Sequence, residues 1–166
     1  MPLLARLGLA ALGVGVELRV AHPRVHQPVD EPAEPEQAAA AVDAGAQFVV
    51  TPGFNPRTVM WCRENQIPVF PGIATPTDLE LALEHGVETV KFFPAETLGG
   101  VNTLKAFSGP YGQMRFIPTG GIHAGNLADY LALPSVLACG GSWMVKAGDW
   151  AATTRLTTEV VELMNE

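Results

Sequence analysis

The chain has 166 residues, 48% hydrophobic and 16% charged, with 17 acidic against 10 basic side chains and a formal net charge of -7. That length predicts a single domain, residues 1–166, burying about two thirds of the surface its unfolded chain would expose. So acidic a chain, with no cluster of Lys or Arg, argues against nucleic acid and anionic membrane as partners.

The elements follow in chain order. Met1–Ala11 is apolar but lacks a small-residue cleavage site, so it does not read as a signal peptide. Val14–Val20 is a candidate strand, and no apolar run reaches the roughly 18 residues of a membrane helix. In Ala21–Pro35, the prolines at 23, 28, 32 and 35 recur too closely for a helix. They also lack the donor a central strand needs, so 21–35 reads as an irregular segment. Glu36–Ala44 is a strong helix former that stops at Gly45. Gln47–Thr51 is then a short apolar run ended by Pro52-Gly53. A helical stretch, Pro56–Asn65, leads to Ile67–Phe70 and Pro71-Gly72. Thr75-Pro76-Thr77-Asp78 opens a helix through Glu84, with His85-Gly86 as its stop. Thr89–Phe93 precedes Pro94, Arg115–Ile117 precedes Pro118-Thr119-Gly120-Gly121, Asn126–Leu133 is a short helix, and Val136–Cys139 precedes Gly140-Gly141-Ser142.

The five apolar runs end at intervals of about 19–24 residues. Short buried strands alternating with helices at that interval indicate βα units and a parallel sheet. Gly, Pro and Thr fall just after each strand, where a (β/α)8 TIM barrel gathers its active-site loops. A flavodoxin-like open sheet would have a similar rhythm. The barrel is preferred because every strand end carries turn chemistry, not only those at one switch point. With Val14–Val20 the count is about six strands, so the expected barrel is incomplete.

Lys91 stands out, because it lies inside the run Val90-Lys91-Phe92-Phe93-Pro94 and lysine is seldom buried without a partner or a function. Burial against aromatic rings disfavours an ammonium and exposes a nucleophilic amine, as Schiff-base chemistry with a carbonyl requires. The plainer alternative is a strand-end lysine snorkelling to solvent. Lys105 and Lys146, the other two lysines, read as surface positions. Gly120-Gly121 and Gly140-Gly141, with Thr119 and Ser142 beside them, could cradle a phosphate or could simply be tight turns. Glu96 is an acid/base candidate or a solvated loop carboxylate. Glu17 reads as a solvated strand residue, and Trp143, Phe92 and Phe93 as core or pocket wall. His22, His26, His85 and His123 share no metal spacing, and Cys62 and Cys139 form neither a metal motif nor a disulfide scaffold.

Six motifs in order, from about Glu36 to Lys146, carry a resemblance. They are Asp43–Gly53 (DAGAQFVVTPG), Pro71–Pro76 (PGIATP), Val90–Glu96 (VKFFPAE), Ser108–Pro110 (SGP), Arg115–Ile122 (RFIPTGGI) and Gly140–Trp143 (GGSW). In these the chain resembles the 2-keto-3-deoxy-6-phosphogluconate aldolases, also called 4-hydroxy-2-oxoglutarate aldolases. The resemblance implies a cytoplasmic class I aldolase on a (β/α)8 barrel, a homotrimer acting on a keto-acid phosphate without metal or other cofactor. Lys91 would form the Schiff base; Gly120, Gly121, Gly141 and Ser142 would hold the phosphate. Thr119 would lie beside the pyruvyl part, and Pro52 and Phe93 would shape its pocket.

The chain also departs from the family. The family's first strand and its Gly-x-Gly-Thr strand have no recognisable equivalent. Glu17, in Val16-Glu17-Leu18-Arg19, is the nearest match to the family's general acid/base, but Ala21 stands where the family has a substrate-binding Arg. The Pro-rich 21–35 segment replaces a helix and a strand. A barrel without those elements has unpaired edges, so the alternative expectation is a truncated, catalytically weak or inactive remnant that only binds small phosphates. Another phosphate-binding barrel, such as an isomerase, would leave Lys91 unexplained.

Overall fold

The computed structural model describes residues 31–144 and 149–163. The candidate strand Val14–Val20, Glu17, most of the 21–35 segment and Lys146 lie outside the described residues. Among those described, helices and short strands alternate: α1 (Pro35–Asp43), β1 (Val49–Val50), α2 (Pro56–Glu64), β2 (Val69–Phe70), β3 (Gly72–Ile73), α3 (Pro76–Glu84), β4 (Thr89–Phe92), α4 (Gly100–Ser108), β5 (Arg115–Pro118), α5 (Leu127–Leu131) and α6 (Trp150–Leu163). A 3-10 turn at Glu96–Leu98 leads into α4.

Three helices begin in the same way, with a polar cap followed by proline. Glu34 caps α1 ahead of Pro35 and forms a reciprocal capping box with Gln37. Asn55 accepts from the Arg57 N–H ahead of Pro56, and Thr75 forms a capping box with Asp78 around Pro76. Proline has no N–H to lose in a helix's first turn, and the cap satisfies donors left free there.

All strand pairs are parallel, and they follow chain order. β1 pairs with β2, β3 with β4 and β4 with β5. Isolated parallel bridges Phe116–Val136 and Thr119–Gly140 then continue the series. The expected sixth run, Val136–Cys139, is thus a pair of bridges and not a regular strand. Sequential order with no reversal is that of a barrel wall; a doubly wound sheet would reverse direction at a switch point. Among the described residues the wall does not close.

One strand ends later than the sequence suggests. Pro71-Gly72 reads as a turn, yet β3 continues past Pro71, and Gly72 and Ile73 pair with Lys91 and Phe92. Pro71 lacks a donor, but its carbonyl still accepts from the Lys91 N–H at 2.9 Å. Proline therefore interrupts the ladder without ending the strand. Gly72 is required there: a Cβ would collide with the Pro52 carbonyl group. The α4 helix and α6 also lie where the sequence reading placed no element.

The core lies between strands and helices. Val90, Phe92 and Phe116 are fully buried, and Phe92 meets Phe107 of α4 edge-on with ring centroids 6.0 Å apart. Side chains alternate along a strand, so residues 91 and 93 of the lysine strand point to the opposite face from residues 90 and 92. Register places Ile117 of β5 beside Lys91 on that other face.

Candidate active site

Lys91 is 3% exposed in the middle of a parallel wall. It does not snorkel to solvent. Its Nζ lies 4.6 Å from the centroid of the Phe93 ring, two residues along on the same face, a cation–π distance. Both carboxylate oxygens of Glu31 accept hydrogen bonds from the same Nζ. The buried amine is therefore matched by an aromatic face and by an anion.

Glu31 reaches the lysine because the chain before α1 is tied down. Pro32 is buried, and the Ala33 carbonyl accepts from Asn55 Nδ2 at 2.8 Å and from Thr58 Oγ1 at 2.9 Å. Glu31 was invisible to spacing arguments, since it lies 60 residues from Lys91 within a stretch that reads as irregular. The signal available was an acidic residue among prolines, which alone means little.

The loops at this end of the wall carry the other sequence-derived residues. Thr119 follows β5, its N–H donating to the Phe92 carbonyl at 2.9 Å, and bridges to Gly140. Gly120 and Gly121 both have positive φ, 96° and 83°, which glycine adopts without strain. A Cβ on Gly120 would lie 3.2 Å from the Phe93 ring. Lys91, Phe93 and Gly120 thus form one contiguous surface. Pro52 is exposed, with its carbonyl against Gly72 beside the lysine. Gly141 is covered by the indole of Trp143, and Ser142 is exposed. Glu17 lies outside the described residues.

Glu96 is neither a free acid/base group nor simply solvated. Its carboxylate accepts the hydroxyl hydrogen of Tyr130, while its N–H donates to the Gly120 carbonyl at 3.1 Å. Burial first, and the Glu96 carboxylate second, raise the Tyr130 phenol well above the ordinary tyrosine range, so it stays a donor. Tyr130 was hidden in sequence as one more apolar residue of a short helix. Among the described residues no group of three His, Cys, Asp or Glu is placed to hold a metal ion, and no helix is long and apolar enough to cross a membrane.

A parallel wall in chain order, a buried lysine at mid-strand and glycine-rich loops beyond it define a barrel-type α/β protein. The family model for KDPG and KHG aldolases matches residues 33–156, and the chain belongs to that family. It is 54% identical over 134 residues to a 2-dehydro-3-deoxy-phosphogluconate aldolase of Treponema pallidum, covering 78% of this chain and 64% of that one. Of solved structures, the 2-keto-3-deoxy-6-phosphogluconate aldolase of Zymomonas mobilis ZM4 with 3-phosphoglycerate superposes with a TM-score of 0.77 at 37% identity, over 79% of this chain and 64% of that one. The KDPG aldolase of Legionella pneumophila, with pyruvate captured as a covalent carbinolamine, superposes with a TM-score of 0.68 at 38% identity, over 78% and 62%. The chain spans slightly less than two thirds of the length of the relatives it matches. Its fold is the α/β TIM-barrel fold of those enzymes, with the parallel strands of the described residues forming part of the wall.

Proposed function

We propose that this chain is a class I aldolase, a lyase that cleaves 2-keto-3-deoxy-6-phosphogluconate to pyruvate and glyceraldehyde 3-phosphate, and/or 4-hydroxy-2-oxoglutarate to pyruvate and glyoxylate. The observation that carries this reading is the placement of Lys91: 3% exposed, in a parallel strand, with its Nζ over the Phe93 ring that packs against Gly120. Family membership and the covalent carbinolamine of the Legionella relative support it.

The Lys91 amine adds to the 2-keto carbon, and loss of water leaves an iminium ion. That cation accepts the electron pair released as the C3–C4 bond breaks, while the C4 hydroxyl loses its proton and leaves as the aldehyde. The resulting enamine is protonated at C3, and hydrolysis releases pyruvate and the free lysine. In this proposal Gly120, Gly121, Gly141 and Ser142 hold the phosphate through backbone and hydroxyl donors. Thr119 lies beside the pyruvyl carboxylate, and Pro52 and Phe93 exclude water from the iminium. No metal or other cofactor takes part, and the proposed assembly is a homotrimer in the cytoplasm.

Incubation with pyruvate and borohydride, followed by peptide mapping, tests this. A reduced pyruvyl adduct on Lys91, with pyruvate released from the phosphorylated substrate, is the expected result. A folded protein that forms no adduct, or forms it on Lys105 or Lys146, overturns the assignment.

A further inference from the structure

The ion pair between Glu31 and Lys91 joins a wet group to a dry one. The lysine side chain is 4% exposed and the glutamate side chain 40% exposed. Glu31 also stands just before the 33–156 segment matched by the family model, so its position comes from this chain's own irregular segment. That position is fixed by the two side-chain bonds to Ala33 from the start of α2.

A buried ammonium cannot attack a carbonyl until it gives up a proton, and the carbinolamine that follows cannot lose hydroxide readily without receiving one. Both transfers need a group in hydrogen-bond contact with the nitrogen. We infer that Glu31 is that group, the catalytic carboxylate that carries the proton during Schiff-base formation on Lys91. This rests on the nucleophilic role proposed for Lys91.

The balance is as follows. Glu31 accepts a proton from Lys91 Nζ, breaking an N–H bond and forming a carboxyl O–H. The free amine adds to the keto carbon, and a proton moves from nitrogen to oxygen to give the neutral carbinolamine. Glu31 then returns its proton to the carbinolamine hydroxyl, the C–O bond breaks and water leaves. The products are the iminium cation and the regenerated carboxylate, so net charge is unchanged. Partial exposure lets Glu31 exchange protons with solvent between turnovers. The rival role is a plug: a carboxylate on Nζ that an anionic keto acid must displace.

Timed quenching of the pyruvate reaction into borohydride, read by intact mass, separates these. The full chain is compared with Glu31→Gln, Glu31→Asp and Lys91→Arg, with circular dichroism confirming that each is folded. At saturating pyruvate, E31Q is expected to form adduct on the order of 10²-fold more slowly, with little change in the pyruvate concentration giving half the maximal rate. E31D should recover part of that loss. Adduct formation by E31Q at the unaltered rate or faster overturns the inference and assigns Glu31 as a plug. Absence of adduct in the unaltered chain sinks the Lys91 reading instead.

Discussion

The hydroxyl of Tyr130, on α5, donates to the carboxylate of Glu96, which lies beyond the end of the lysine strand. Tyr130 is fully buried, and the Glu96 Cβ and Cγ lie within 2.6 Å of where a Cβ on Gly121 would stand. A single carboxylate therefore ties the segment after β4, the Gly120-Gly121 loop and α5 together.

Removing that hydroxyl tests the tie. Tyr130→Phe keeps the ring's packing, and because Glu96 is exposed water can replace its lost donor, so the loss should be about 0.5–1.5 kcal/mol. For a chain of this size the melting temperature should fall by roughly 2–4 °C per kcal/mol. Because the tie sits under the proposed phosphate loop, KM for the phosphorylated substrate should rise while adduct formation from pyruvate stays near the unaltered rate. Equal losses with pyruvate and with the phosphorylated substrate would place Tyr130 in general stability alone.

Gly121→Ala and Gly45→Ala form a matched pair. Both glycines have positive φ, but a Cβ at 121 meets Glu96 at 2.6 Å whereas a Cβ at 45 meets nothing within 4 Å. G45A should cost only the backbone strain of a left-handed residue, about 1–2 kcal/mol. G121A adds displacement of Glu96 and should cost visibly more, with the phosphorylated substrate bound more weakly. Denaturant midpoints for both variants, and KM for G121A, decide it. Equal stability losses would mean that the Glu96 contact relaxes freely.

The positions of the described strands as far as β5, and the burial of Lys91, were legible for physical reasons. A Lys within Val90-Lys91-Phe92-Phe93 sits in a segment too apolar for a surface position, and turn residues mark each strand end. Pro71 misled the reading, because proline normally halts a ladder and here only removes one donor. Gly99 and Gly100 concealed the start of α4. The pairings that complete the site span 60 residues for Lys91–Glu31 and 34 for Tyr130–Glu96. Such contacts are fixed by tertiary packing, which local pattern cannot report. Glu17, the acid/base residue implied by resemblance, lies outside the described residues, and the carboxylate seen at the lysine is a different one.

Lys91→Met separates chemistry from stability. Burying an ammonium carries a desolvation cost that its ion pair only partly offsets, and an apolar side chain of similar length removes both. Glu31, being 40% exposed, can be solvated once its partner is gone. K91M should therefore form no pyruvyl adduct while its denaturant midpoint stays level or rises. A fall of several kcal/mol in unfolding free energy would show that the Glu31 pair holds the fold together, and would give Lys91 a structural role besides the one the adduct tests.

The buried thiols set the alkaline limit. Burial pushes Cys62 up to about 11 and Cys139 up to about 12, against an ordinary value of 9.0. The folded chain thus holds both thiols protonated where the unfolded chain would ionise them. Their contribution is fully present below pH 9 and is lost as pH rises from there through the folded values, because the unfolded state then binds fewer protons. Urea midpoints should be steady from pH 7 to 8.5 and decline by pH 10.5. Tyr130, held protonated in the same way, adds to that decline. In the double variant Cys62→Ala, Cys139→Ala the starting stability should be lower, since two buried side chains are shortened, but the decline above pH 9 should be shallower. An unchanged slope would mean that neither thiol is shielded from ionisation in the folded protein.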